Sequence, residues 1–239
     1  MNKIKKRILI ISVLLFVSII LNIYNYNRII TYKLEKYSYK NNNSILLINK
    51  IIIIGDSRMD FISYKKEKMN IPSNVIFIAK SGATIEWLYN TGFPKLKEEL
   101  KNNNKYSYHV IFNLGVNDLN SDISATKLAR DYYNIYNKVI EKYNNVSFYF
   151  LSVNPIDEDR IYKYFSPYNK RTNQKIEEFN KYFINKLNKQ KTDNVEYCDS
   201  YNNLKFYLPD GLHYDNKTDK RIINYIINNC VKINQKYKI

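Results

Sequence analysis

Short unbroken apolar runs alternate along this chain with stretches in which apolar residues recur every three or four positions. The clearest run is Ile51-Ile52-Ile53-Ile54, closed by Gly55. A brief block of β-branched residues ending in glycine predicts a buried central strand, here over 50–54. Further strands are expected over 75–79, 109–114, 146–152 and 195–198. Between them the helical period returns. Residues 125–143 carry Leu128, Tyr132, Ile135, Tyr136, Val139 and Ile140 on one face, and helices are also expected over 94–100, 169–189 and 217–236. Strands alternating with helices predict an α/β fold with a parallel sheet and right-handed crossovers. Five strands suit a flavodoxin-like three-layer α/β/α sandwich, whose ligands gather at a switch point beside the first strand.

The first 47 residues follow another pattern. Lys3, Lys5, Lys6 and Arg7 precede an apolar stretch over 8–24, broken only by Ser12, Ser18 and Asn22. A basic start before such a run predicts an N-terminal transmembrane helix, residues 1–24, that acts as a signal-anchor. Large residues fill the positions where a cleavage site would need small ones, so the anchor is expected to remain. A buried helix of the domain is the competing reading, and an apolar surface on all sides speaks against it. Residues 25–47, rich in Tyr, Asn and Lys, are expected to form a juxtamembrane stalk. Residues 48–239 then make one domain, held outside the cytoplasm at the cell membrane.

Composition changes this picture little. Of 239 residues 45% are hydrophobic, which permits a real core, and 24 tyrosines supply most of the aromatic content. The net charge of +16 comes from 38 basic and 22 acidic side chains. The lysines are scattered rather than clustered, so no nucleic-acid partner is expected. Attraction to an anionic membrane or wall polymer stays open. With Cys198, Cys230, His109 and His213 as the whole cysteine and histidine complement, no metal or other cofactor is expected. The two cysteines read as buried thiols or, outside the cytoplasm, as a disulfide. His109 is expected to be structural, at the beginning of its strand and away from Ser57.

Four short segments fall at carboxyl ends of strands or on the loops beyond. Gly55-Asp56-Ser57 follows the first strand, Ser81-Gly82-Ala83 the second and Gly115-Val116-Asn117-Asp118 the third, while Asp210-Gly211-Leu212-His213 precedes the last helix. A serine at a strand end, with a carboxylate and an imidazole three residues apart, is the set from which a hydroxyl becomes a nucleophile. Ser57 would attack an acyl carbonyl, His213 would move its proton, and Asp210 would orient the imidazole. Taken together and in this order, the segments resemble the SGNH/GDSL hydrolase superfamily over about residues 50–235. That resemblance implies an oxyanion hole made by the backbone N–H groups of Ser57 and Gly82 and the side-chain amide of Asn117. No G-x-S-x-G elbow or glycine-rich phosphate loop competes with it.

Other positions carry weaker signals. Arg58 stands where the namesake motif has leucine; it would contact a polar or anionic substrate, or pair with Asp60 or another surface carboxylate. Trp87 would stack on a sugar ring or join the core. The loop 154–168, opening at Asn154, would wall the site and contact substrate, or be a plain surface excursion. Asp56 and Asp118 are expected to brace loops. The function expected from all this is a serine esterase acting on O-acyl groups, chiefly O-acetyl, of an envelope or secreted polysaccharide. The same acyl-enzyme serves a transferase, for which a multispanning membrane acyltransferase partner would supply the acyl group. A lipase or lysophospholipase and a catalytically silent glycan-binding component are the alternatives.

Overall fold

The computed structural model describes residues 48–102, 106–190 and 194–231, together with Ser18 and Asn22. Apart from those two residues, the expected anchor and stalk lie outside the described residues, as does the end of the last expected helix. Among the described residues no helix is long and apolar enough to cross a membrane. The chain divides into two units, Met1–Leu47 and Ile48–Ile239, and the second contains the whole sheet.

Five strands, β1 (Ile48–Gly55), β2 (Val75–Ala79), β3 (Tyr106–Asn113), β4 (Ser147–Leu151) and β5 (Val195–Cys198), pair in the order β2-β1-β3-β4-β5. Every pairing is parallel. Alternation along the strands splits the apolar residues between two faces. Ile52, Ile54, Val110, Phe112, Phe148 and Phe150 face one layer, while Ile51, Ile53, Ile111, Tyr149 and Leu151 face the other. Both faces must therefore be covered, which is why β1 reads as a continuous isoleucine run.

The helices in chain order are α1 (Ser57–Tyr64), α2 (Ile85–Trp87), α3 (Phe93–Glu99), α4 (Ala125–Ile140), α5 (Glu158–Tyr164), α6 (Asn173–Gln190), α7 (Ser200–Asn203) and α8 (Asn216–Tyr225). Met59 and Ile62 of α1 and Ile222 and Ile223 of α8 pack on one face. Leu96 of α3, the tyrosines of α4 and Phe179 and Phe183 of α6 pack on the other. Much of the aromatic content sits here: Tyr136 stacks on Phe112 at 4.2 Å between centroids, and Phe150 meets Phe183 at 5.0 Å.

Two expectations change. His109 is the fourth residue of β3, because that strand starts at Tyr106, ahead of the apolar run that marked it. It pairs with Ile51 inside the sheet and is buried there. Its Nδ1 lies 3.2 Å from the Tyr149 hydroxyl and its Nε2 3.1 Å from Asn49 Oδ1. The loop 154–168 contains a helix, α5, that the sequence reading missed. Asp157 caps it by accepting the amide of Arg160 at 3.1 Å. Of the two readings left open for Cys198 and Cys230, the disulfide is the one formed, between the end of β5 and the turn that follows α8.

Candidate active site

The loops after β1, β2, β3 and β4 leave the same edge of the sheet, so a parallel arrangement brings distant segments together there. Ser57 is the first residue of α1. Asp56 caps that helix by accepting the Arg58 amide at 3.0 Å on its side chain, and its carbonyl accepts the Asp60 amide at 2.9 Å. Burial pushes the Asp56 carboxyl up, against the pull of Arg58 and of the cap hydrogen bond.

Ser57 and His213 are 156 residues apart in sequence, yet Ser57 Oγ lies 2.9 Å from His213 Nε2. His213 Nδ1 lies 2.7 Å from Asp210 Oδ2. The other oxygen, Asp210 Oδ1, accepts the amides of Leu212 at 2.9 Å and His213 at 2.7 Å. Burial alone would raise this carboxyl. The hydrogen bonds from the His213 ring and from the two amides outweigh it, so Asp210 stays below the usual carboxylate range. An ionised carboxylate only accepts, which places the imidazole proton on Nδ1 and leaves Nε2 to accept from the serine hydroxyl.

Gly211 lets this turn form. Its φ is +88°, and a Cβ there would stand 2.4 Å from the Ile161 nitrogen of α5. Any other residue would be strained and would also strike the backbone. The turn is held against α5 by the Asp157 amide, which donates to the Gly211 carbonyl at 2.9 Å.

The loops carrying Gly82 and Asn117 are fastened to this cluster and to each other. Asp60, one turn beyond Ser57, accepts the Ser81 amide at 2.9 Å and the Ser81 hydroxyl at 2.7 Å. Gly82 has φ +76°, with open space where a side chain would stand. Asn117 Nδ2 donates to the Ala83 carbonyl at 2.9 Å, and its Oδ1 accepts from Arg171 Nη2 at 3.3 Å. Asp118 braces the neighbouring turn by accepting the Ile85 amide at 3.2 Å and the Tyr132 hydroxyl at 2.6 Å.

Arg58 and Asn154 take places other than substrate contacts, and Trp87 takes the core position that was its alternative. Arg58 is 2% exposed and pairs with neither substrate space nor Asp60. Its guanidinium donates to the carbonyls of Leu212 (3.0 Å), Asn154 (2.8 Å) and Pro155 (2.9 Å), and lies 5.0 Å over the Tyr214 ring. Asp60 is occupied by Ser81, and at this depth the loop carbonyls replace water around the cation. Asn154 is fully buried, donating to the Tyr214 hydroxyl at 3.0 Å and accepting from the Ser200 hydroxyl at 2.6 Å. Trp87 is partly buried and packs against the core.

The structure adds three residues that the sequence reading passed over. The Phe61 ring lies 4.7 Å from the His213 ring, and the Phe165 ring lies 5.9 Å from it. Phe61 was readable, since it sits four residues after Ser57 on the same helical face. Phe165 lay in the loop 154–168 expected to wall the site but was not singled out within it, because its place depends on how α5 ends. Arg171 donates from Nε to the Val116 carbonyl at 2.8 Å as well as to Asn117. Nothing local in sequence links residues 54 positions apart.

Comparison with known proteins gives a consistent picture. Residues 51–226 match the model of the GDSL-like lipase/acylhydrolase family. No match is found among curated protein sequences. A GDSL-like lipase from Bacteroides thetaiotaomicron superposes with a TM-score of 0.55 at 15% identity, covering 80% of this chain and 93% of that one. The lipase/acylhydrolase from Enterococcus faecalis gives 0.52 at 18% identity, covering 75% and 94%. An acetyl xylan esterase gives 0.53 at 15% identity, covering 74% and 98%. At these identities the likeness is one of fold.

Proposed function

Since the chain belongs to the GDSL-like lipase/acylhydrolase family, we propose that it is a serine esterase that removes or transfers O-acetyl groups on a cell-envelope or secreted polysaccharide. The observation that carries the reading is the chain of contacts from Ser57 Oγ to His213 Nε2 and from His213 Nδ1 to Asp210, at 2.9 and 2.7 Å.

In this mechanism Ser57 Oγ attacks the acyl carbonyl carbon as its proton passes to His213 Nε2. Asp210 fixes the imidazole tautomer and stabilises the cation that forms. The N–H groups of Ser57 and Gly82 and the amide of Asn117 receive the developing oxyanion, each worth about 3 kcal/mol in the transition state. His213 then protonates the departing sugar hydroxyl, leaving acetyl on Ser57. Water resolves this acyl-enzyme in hydrolysis, and a second sugar hydroxyl resolves it in transfer; His213 serves as the base in either case.

Two features support an extracytoplasmic site at the membrane. The N-terminal sequence has the pattern of an anchor, and a disulfide joins Cys198 to Cys230, a bond that persists in oxidising compartments. The test measures acetate release and sugar acetylation side by side for the wild type and Ser57→Ala. Serine-dependent release or transfer is expected. An unchanged Ser57→Ala rate on every ester, long-chain ones included, sinks the proposal.

A further inference from the structure

Phe61 and Phe165 both contact the catalytic imidazole, yet 38% of Phe61 and 46% of Phe165 remain exposed. Tyr64, three residues beyond Phe61, is 81% exposed. Ser57, Phe61 and Tyr64 lie at i, i+4 and i+7 of α1, so they line one face of the helix. That face runs about 10 Å from the serine to Tyr64. A helix in the usual amphipathic arrangement turns polar residues to water. This one turns a row of aromatic rings outward, and the row begins at the nucleophile.

These exposed rings stand beside the imidazole that serves Ser57, so their chemistry bears on what binds there. A long acyl chain gains from rings that enclose it, and rings standing this open would leave most of the chain in water. A sugar ring is different. One side presents C–H bonds to the negative face of an aromatic ring, while its hydroxyls stay hydrated around the rim. The span of about 10 Å accommodates about two sugar rings in a row.

The geometry points to an extended glycan subsite in which Phe61 and Phe165 hold the sugar bearing the ester and Tyr64 stacks on its neighbour in the chain. The assignment rests on the esterase reading of the same site and adds that the substrate is a polymer read over more than one residue. Tyr64 acts through its ring face, so its hydroxyl is dispensable.

The experiment uses full-length Ser57→Ala, which binds without turnover, titrated with xylo- and chito-oligosaccharides of increasing length. Affinity should rise from monomer to trimer. Adding Tyr64→Ala should weaken trimer binding about five- to tenfold and flatten the length dependence, whereas Tyr64→Phe should restore it. No saturable binding by either sugar series, or trimer affinity unmoved by Tyr64→Ala, overturns the subsite. Binding to phosphatidylglycerol vesicles that disappears with Tyr64→Ala, without sugar binding, also overturns it and assigns the strip to a membrane surface. Turnover of an aryl acetate by the wild type, lost in Ser57→Ala, keeps the esterase reading intact if the subsite fails. Its absence defeats the esterase reading, while the titrations still judge the strip.

Discussion

Arg171 grips the oxygen of the Asn117 amide, and that decides which end of the amide is left to donate. A cation on the oxygen also polarises the N–H groups, making them better partners for negative charge. Arg171→Met should therefore lower kcat about 10- to 100-fold with a smaller change in KM, within what one oxyanion donor supplies. In an Asn117→Ala background the same change should add little, because the two act as a unit. Full additivity would show that Arg171 merely holds the 169–171 segment in place. Asp210→Asn keeps the shape but loses the acceptor that fixes the tautomer, so kcat should fall by about 10³–10⁴. A drop of less than tenfold would remove Asp210 from the relay. At this scale the sequence was informative where a motif is contiguous. Asp210 and His213 share a turn, and Ser57 follows a strand, so these three could be named beforehand. Arg58 and Asn154 could not be placed, since their partners at Leu212, Pro155, Tyr214 and Ser200 come from elements far along the chain. A charge beside a nucleophile reads as a substrate contact until its burial is known.

Among the elements, α1 does most to arrange the site. It presents Ser57 and Phe61 to His213, Asp60 to the 81–83 loop, and Met59 and Ile62 to the sheet. Five strands and the helices α3, α4, α6 and α8 were visible as patterns, with edges off by a few residues. The short helices α2, α5 and α7 were not, because they are held by caps and tertiary contacts rather than by an apolar stripe. Asp157-Glu158-Asp159 before Ile161 was a readable start for α5 that went unused. The disulfide ties β5 to the turn after α8 across 32 residues. Loop-closure entropy for that span is about 3–4 kcal/mol. Replacing both cysteines by serine should lower the unfolding free energy by about that amount. Equal denaturant midpoints with and without reductant in the wild type would show that the bond contributes nothing.

Across the whole molecule, the two-sided core follows from the isoleucine and valine runs. The covering layers follow from the helical stripes. The acid limb of stability has a separate origin. Burial in the sheet drives His109 down to about 4 from 6.5. Between those values the unfolded chain binds a proton that the folded chain refuses. The stability that His109 contributes is thus complete above about pH 6.5 and is lost on acidification to about pH 4, about 3 kcal/mol at most. Asp210 acts in another window. Its lowered carboxyl contributes above the ordinary value of 3.8 and is lost only as pH falls through the folded one. Urea midpoints at pH 7 and pH 5 should differ in the wild type and converge in His109→Gln. An unchanged slope in the variant would point to another titrating group.

The three carbonyls around Arg58 have a practical consequence for anyone recombining this protein with its relatives. They come from the segment after β4 and from the histidine turn, and one side chain on the nucleophile helix terminates all three. Chimeras that exchange one of these segments alone would strand the charge, or leave the carbonyls without their donor, in the interior. Crossovers should therefore carry all three segments from a single parent, and libraries built that way should return more folded, active clones.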